Sequence, residues 1–193
     1  MPTGIALRDV REQLFDAAER VLLQAGPSAL TSRAVTAEAG VAKGVLHRHF
    51  ADFDDFLVEL VRDRTARLTA RAEHLRAAAG TGTVAGNLAG ALTELFTSVA
   101  VAIISLVIFR DELRARLRAA YPTGVPLLAE ARRMISGYLL AERDAGRLLP
   151  DADIDALGLA LIGSGHLIYA GRDGTPVEEI DRVVAGVLAG SLR

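Results

Sequence analysis

Cysteine and tryptophan are absent from this chain of 193 residues, and aromatic residues make up only 5% of it. Without thiols there is no disulfide, no thiolate nucleophile and no cysteine-based metal site. Four histidines, with no HExxH pattern, are too few for an obvious metal cage, and no cofactor motif survives inspection. Long hydrophobic runs are lacking too. The most apolar stretch, Leu95–Phe109, is fifteen residues long and contains Thr97 and Ser98. That is short of the roughly 20 residues that span a bilayer, and predicts a helix buried in a protein core rather than in a membrane. Met1–Leu7 carries no apolar core of a signal peptide before Arg8, Asp9, Arg11 and Glu12 interrupt it, so a cytoplasmic location is expected.

Net basic charge is missing as well: the formal charge is −2. Its distribution is uneven, because residues 151–193 hold three basic and seven acidic groups while the rest is slightly basic. A local positive surface near the N-terminus is therefore permitted. Lysine is almost absent, with Lys43 the single one against 21 arginines. What is present is 51% hydrophobic and 24% charged, the balance of a folded protein long enough to bury a core unaided.

The periodicity is helical throughout and no segment alternates as a strand would. Leu7, Val10, Leu14, Ala18, Val21, Leu22 and Ala25 mark a first helix that Gly26-Pro27 stops. Thr31 caps a short second helix closed by Gly40, and a third runs from about Lys43 to Phe50. Asp52, with Asp55 as partner, caps a long fourth helix reaching toward Ala79. Gly80-Thr-Gly-Thr83 reads as a flexible connector; its Gly-x-Gly-x-x-Ala pattern lacks the preceding strand of a dinucleotide fold. One helix from Thr83 through the apolar run, a piece over Asp111–Ala120, a turn at Tyr121–Gly124, and helices at Val125–Asp144 and to about Tyr169 follow. After a turn at Gly171–Gly174, the capping box Thr175-Pro176-Val177-Glu178 opens the last helix, to about Leu188. The expected fold is all-α, with eight or nine helices. Ile162-Gly-Ser-Gly-His166 is not a nucleophile elbow, because it lies inside a helix and lacks the Gly-x-Ser-x-Gly spacing.

The informative segment is Leu30–Phe50, LTSRAVTAEAGVAKGVLHRHF. It reads as two short helices joined by a tight turn at Gly40, with Val35, Ala39, Leu46 and Phe50 inward and Val41 between them. With its inner face occupied by Leu46 and Phe50, the second helix turns Lys43, Gly44, His47 and Arg48 outward. Two cations, an imidazole and a glycine that permits close approach suit a helix entering a DNA major groove.

This segment resembles the helix-turn-helix of the tetracycline-repressor (TetR) family of bacterial regulators, most closely over AEAGVAKGVLHRHF with the flanking Gly26-Pro27 and Asp52. The resemblance covers about fifty residues. It implies a DNA-binding domain over residues 1–51 and a helical effector-binding and dimerisation domain over 52–193. It implies further that Thr31 and Lys43 meet phosphates, that Arg33 can reach a base, that Gly44 and Val45 lie close to the bases, and that His47, Arg48 and His49 complete the surface. Thr36, Ala42, Val45, His47 and Phe53 stand where the family usually has alanine, serine, threonine, tyrosine and lysine. Weaker, more salt-sensitive binding, or compensation by Arg8, Arg11 or Arg48, is expected from these departures.

By the same resemblance the protein is a homodimeric regulator, most simply a repressor of a near-palindromic operator, and not an enzyme. A small, mostly apolar effector would meet Phe96, Ile103, Val107, Met134, Tyr138 and His166. The last two helices would pair with their copies, Gly158, Gly163, Gly165, Gly186 and Gly190 allowing close approach. A helical small-molecule-binding protein or enzyme with no DNA role is the alternative.

Overall fold

Side-chain caps and glycines set the ends of the helices. A computed structural model describes residues 4–119, 121–122, 125–170 and 177–193. Ten α-helices lie among the described residues: α1 Gly4–Ala25, α2 Ser32–Glu38, α3 Gly44–His49, α4 Phe53–Ala77, α5 Val84–Thr97, α6 Ala100–Phe109, α7 Asp111–Arg118, α8 Pro126–Asp144, α9 Ile154–Ala170 and α10 Val177–Leu188. A short 3-10 turn, Pro27–Ala29, and one isolated bridge between Leu148 and Leu192 complete them. No single helix among the described residues is long and apolar enough to cross a membrane. The expected box at Thr175-Pro176 and the turns at Thr123-Gly124 and Gly171–Gly174 lie outside the described residues.

The caps are specific. Thr31 Oγ1 accepts from the Ala34 N–H at 3.1 Å, and Thr83 Oγ1 from Gly86 at 3.0 Å. Asp52 Oδ1 accepts from Asp55 N–H at 2.7 Å, while the Asp55 carboxylate reaches back to the Ala51 N–H at 3.1 Å. Each such cap satisfies a donor that the first turn leaves open, and contributes about 1 kcal/mol. The tenth helix, one more than expected, comes from a break inside the apolar run. Ser98 Oγ donates to the Leu95 carbonyl at 2.5 Å and accepts from the Ala100 N–H at 3.2 Å, which ends α5 and starts α6 two residues later.

The chain forms two compact units. One holds the chain up to Asp63 with Ala102–Pro122, and the other holds Arg64–Val101 with the remainder from Thr123. The expected domain boundary after residue 51 falls inside the first unit, because α6 and α7 join α1–α3 and the start of α4 there. In the second unit α9 packs on α8, and α10 packs on α5 and α9. Two glycines make that packing possible within one chain: a Cβ at Gly165 would meet the Phe96 ring at 2.3 Å, and one at Gly158 would meet Ser136 Oγ at 2.6 Å.

The second unit contains a buried polar network at the α4–α5 connection. Glu142, 0% exposed, accepts from the Tyr138 hydroxyl and from the Gly80 N–H (3.1 Å) and pairs with Arg147 at 3.3 Å. Arg147 also donates to the Gly82 carbonyl at 2.8 Å, and Asn87 Nδ2 donates to the Tyr138 oxygen at 2.9 Å. Burial, reinforced by the neighbouring carboxylate, pushes the Tyr138 phenol up to about 12, so it remains a donor at physiological pH. The Gly80–Thr83 segment is thus a pinned turn and not the flexible connector its composition suggested. Replacing Glu142 with Ala strips partners from Gly80, Tyr138 and a largely buried guanidinium. Urea unfolding should show a loss of roughly 3 kcal/mol; a loss below roughly 1 kcal/mol would contradict this role.

Candidate nucleic-acid interface

A six-residue helix cannot persist alone, so α3 exists because its neighbours hold it. Leu46 is 0% exposed, and Phe50, four residues on, packs its ring edge-on to Phe56 at 5.0 Å and tilted against Phe15 at 5.8 Å. Phe15 and Phe56 are in turn 5.6 Å apart. Such aromatic pairs add about 0.5–1.5 kcal/mol each beyond the area they bury. Arg11 fastens the same corner. Its guanidinium lies 4.4 Å over the Phe50 ring, donates to the His49 carbonyl at 3.3 Å and pairs with Glu59 at 3.1 Å. A cation on the last carbonyls of a helix also complements its dipole. Arg11 therefore acts inside the protein and is not free to replace a missing phosphate contact. Arg8 lies outside the described side chains.

The turn before α3 is equally defined. Gly40 has φ +67°, and the N–H groups of Gly40 and Val41 donate to the carbonyls of Ala37 (3.1 Å) and Thr36 (3.0 Å). This is the paired closure that ends a helix through a left-handed glycine. Gln13 caps the same end through the Ala39 carbonyl at 2.8 Å. Thr36 is buried, and its hydroxyl is satisfied by the Ser32 carbonyl at 2.9 Å, so threonine fits where the family favours alanine.

With the inner face anchored, Arg33, Lys43, Gly44, His47 and Arg48 are exposed, and Val45 and His49 are half-buried. Thr31 is exposed too; its oxygen caps α2, and its hydroxyl proton stays available to an acceptor outside. Gly44 is informative because a Cβ there would meet nothing within 4 Å. The protein's own packing does not require a glycine at that position, whereas a surface brought against it would.

Phe53 lies stacked on Phe56 at 5.6 Å, beneath the Arg110 guanidinium at 5.5 Å. Arg110 pairs with Asp54 at 3.2 Å, and Arg116 grips both Asp52 oxygens at 3.0 and 2.9 Å. These contacts join α6–α7 to the start of α4 and explain why an aromatic replaces a surface lysine at residue 53. The sequence held one signal for this corner: Phe15, Phe50, Phe53 and Phe56 are four of only six phenylalanines.

The family model for bacterial regulatory proteins of the tetR family matches residues 14–60, the segment from α1 to the first part of α4. The match places the N-terminal segment, about a quarter of the chain, with that family. Solved structures agree in fold over the whole chain. The reduced form of NemR from E. coli is similar with a TM-score of 0.73 and 17% identity, covering 95% of this chain and 97% of that one. FadR from Bacillus subtilis, in complex with stearoyl-CoA, gives 0.67 and 19%, covering 93% and 98%. A TetR-family regulator from Mesorhizobium loti gives 0.68 and 16%, covering 96% and 98%. Comparison with curated protein sequences gives no match.

The second unit holds a cleft of about 650 Å³ between α4, α5 and α8. Leu68, Leu75, Leu95 and Met134 supply apolar wall, Gly90 opens it, and the Arg71–Glu94 pair (3.2 Å) stands at it. Of the six expected effector residues, Met134 lines this cleft. Phe96, His166 and Tyr169 instead form an aromatic cluster, Phe96 lying 5.7 Å from Tyr169 and 6.3 Å from His166. Tyr138 is fully buried and engaged with Glu142, and Ile103 and Val107 are buried in the first unit. Sequence reasoning missed Gly86, Gly90 and Ala91, whose helical spacing was the available signal. Of the five glycines expected at a dimer interface, Gly163, Gly186 and Gly190 are exposed with open space beside them. Gly158 and Gly165 face their own chain.

The Arg116 guanidinium, aided by the Asp55 N–H, holds the Asp52 carboxyl below the usual carboxylate range. Because the native value is lowered, this stabilisation is full above the ordinary pKa near 4 and is lost as pH falls through the native value. Thermal unfolding of Asp52→Asn should therefore fall less between about pH 5 and pH 3 than that of the parent chain. Parallel curves would contradict the assignment.

Proposed function

We propose that this chain is a homodimeric repressor that inserts α3 into successive major grooves of a near-palindromic operator and leaves it when a small, mostly apolar effector binds. The observation that carries the reading is the two-sided character of α3. Leu46 and Phe50 are fixed in the core while Lys43, Gly44, His47 and Arg48 face solvent beside Arg33 and Thr31. In this reading Lys43 and the Thr31 hydroxyl engage phosphates and set the register. Arg33, Gly44 and Val45 approach base edges, and His47, Arg48 and His49 flank them. Ala42 supplies no hydroxyl at the start of α3, so the remaining cations carry more of the binding and make it steeply salt-dependent.

A dimer is supported by an exposed apolar stripe on α9, where Leu159 and Leu167 are 61% and 78% exposed with Gly163 between them. Ala185, Gly186, Ala189 and Gly190 leave a similarly bare face on α10. A twofold pairing of these faces gives the protein two α3 helices, as a near-palindromic operator with half-sites about one turn of DNA apart requires. The α4–α5–α8 cleft is the candidate effector site, its volume within the range of small-molecule pockets; the FadR structure with stearoyl-CoA supports a ligand-responsive reading. Helix α4 contributes residues to both units and to the wall of this cleft, so on this reading a ligand that prefers one placement of α4 affects DNA binding.

Lys43→Ala should weaken binding to a duplex from upstream of the gene by roughly 1 kcal/mol and flatten the salt slope by about one. Unchanged affinity and slope in a gel-shift series would remove Lys43 from the interface. Gly163→Leu has room in the monomer and should yield monomers by sedimentation, whereas persistent dimers would place the interface elsewhere.

A further inference from the structure

A second cleft, of about 640 Å³, lies wholly within the first unit. The α1–α2 connector forms one wall and the last turns of α6 form the other. Pro27, Leu30, Leu106 and Phe109 give it an apolar body, and Arg110 and Thr31 supply polar groups. Leu30 and Leu106 are both 2% exposed, whereas Phe109 is 82% exposed, more than any other large apolar side chain described. Its exposed ring offers an apolar face to whatever enters the hollow.

Arg110 gives the hollow a polarity. Its guanidinium pairs with Asp54 at 3.2 Å and lies 5.5 Å from the Phe53 ring, two contacts that favour one placement of its donors. A guanidinium carries five N–H donors, and the ion pair to Asp54 leaves others for a second acceptor. Hydroxyls of Ser28 and Thr31 stand on the opposite wall. The volume is that of a small-molecule pocket, and apolar walls with a few fixed polar groups are how such pockets select.

We infer that this cleft is a ligand site separate from the α4–α5–α8 cleft, and that it takes a small apolar molecule with one anionic head, a carboxylate or sulfonate. The rings or chain of the ligand cover Leu30, Leu106 and Phe109, and the head meets Arg110. Thr31 belongs both to this wall and, on the reading proposed above, to the phosphate contacts. Ligand and DNA therefore compete for one residue, and each lowers the affinity of the other by the same factor. That coupling rests on the proposed DNA role of Thr31; the cleft does not.

The test is a fluorescence titration of the full-length chain with anilinonaphthalene sulfonate, which pairs an apolar ring system with one anionic head. Phe109→Ala, a surface change, and Arg110→Gln should each weaken binding about tenfold, the scale of losing one ring contact or one charge-assisted bond. Gly90→Phe, which fills the other cleft, should leave binding unchanged. Failure of the probe to bind, equal binding in Phe109→Ala, or loss of binding in Gly90→Phe overturns the site. In a second arm, the upstream duplex should weaken probe binding to the parent chain but not to Thr31→Ala. If the probe behaves as expected and the duplex has no effect, the cleft stands and the phosphate role of Thr31 falls.

Discussion

On the reading proposed above, what this protein offers to DNA depends on the burial of two side chains, Leu46 in a helix only six residues long and Phe50 at its C-cap. A helix of that length has no stability of its own, and five of its six residues face outward or sit half-exposed. The aromatic cluster of Phe15, Phe50 and Phe56 supplies the apolar side, and Arg11 closes the end by bonding to the His49 carbonyl and lying over Phe50. Orientation follows from that anchoring, since fixing residues 46 and 50 leaves 43, 44, 47 and 48 the opposite side. The two-sidedness is thus a packing result before it is a recognition result.

The same logic extends one layer outward. Asp52 and Asp54 begin α4 just after α3, and they are held by Arg116 and Arg110 from the α6–α7 region of the same unit. The first compact unit is therefore not a simple N-terminal segment. It includes residues 102–122, whose Arg110 and Arg116 reach the residues that start α4.

Much of this was legible in the sequence, for identifiable reasons. Helix starts were readable because Thr31, Asp52 and Thr83 cap through local bonds that depend on nearby residues alone. The turn at Gly40 was readable because only a left-handed residue closes two short helices there. The break at Ser98-Val99 was hidden, since a serine inside an apolar run is tolerated by helices as often as it ends them. The roles of Arg11, Arg110 and Arg116 were hidden because their partners lie 38 to 64 residues away. The pinned turn at Gly80 escaped notice for the same reason, its anchor Glu142 being 62 residues on. Gly158 and Gly165 looked like interface residues because smallness serves any close contact, and sequence does not say whose atoms do the approaching.

The central claim is that the outward side of α3 reads the major groove, and methylation interference on the upstream duplex tests it most directly. Methyl groups on guanine N7 stand in the major groove and those on adenine N3 in the minor groove. The account predicts that N7 methylation blocks binding at two clusters about one helical turn apart. Interference confined to adenine N3, or none at either position, would contradict it.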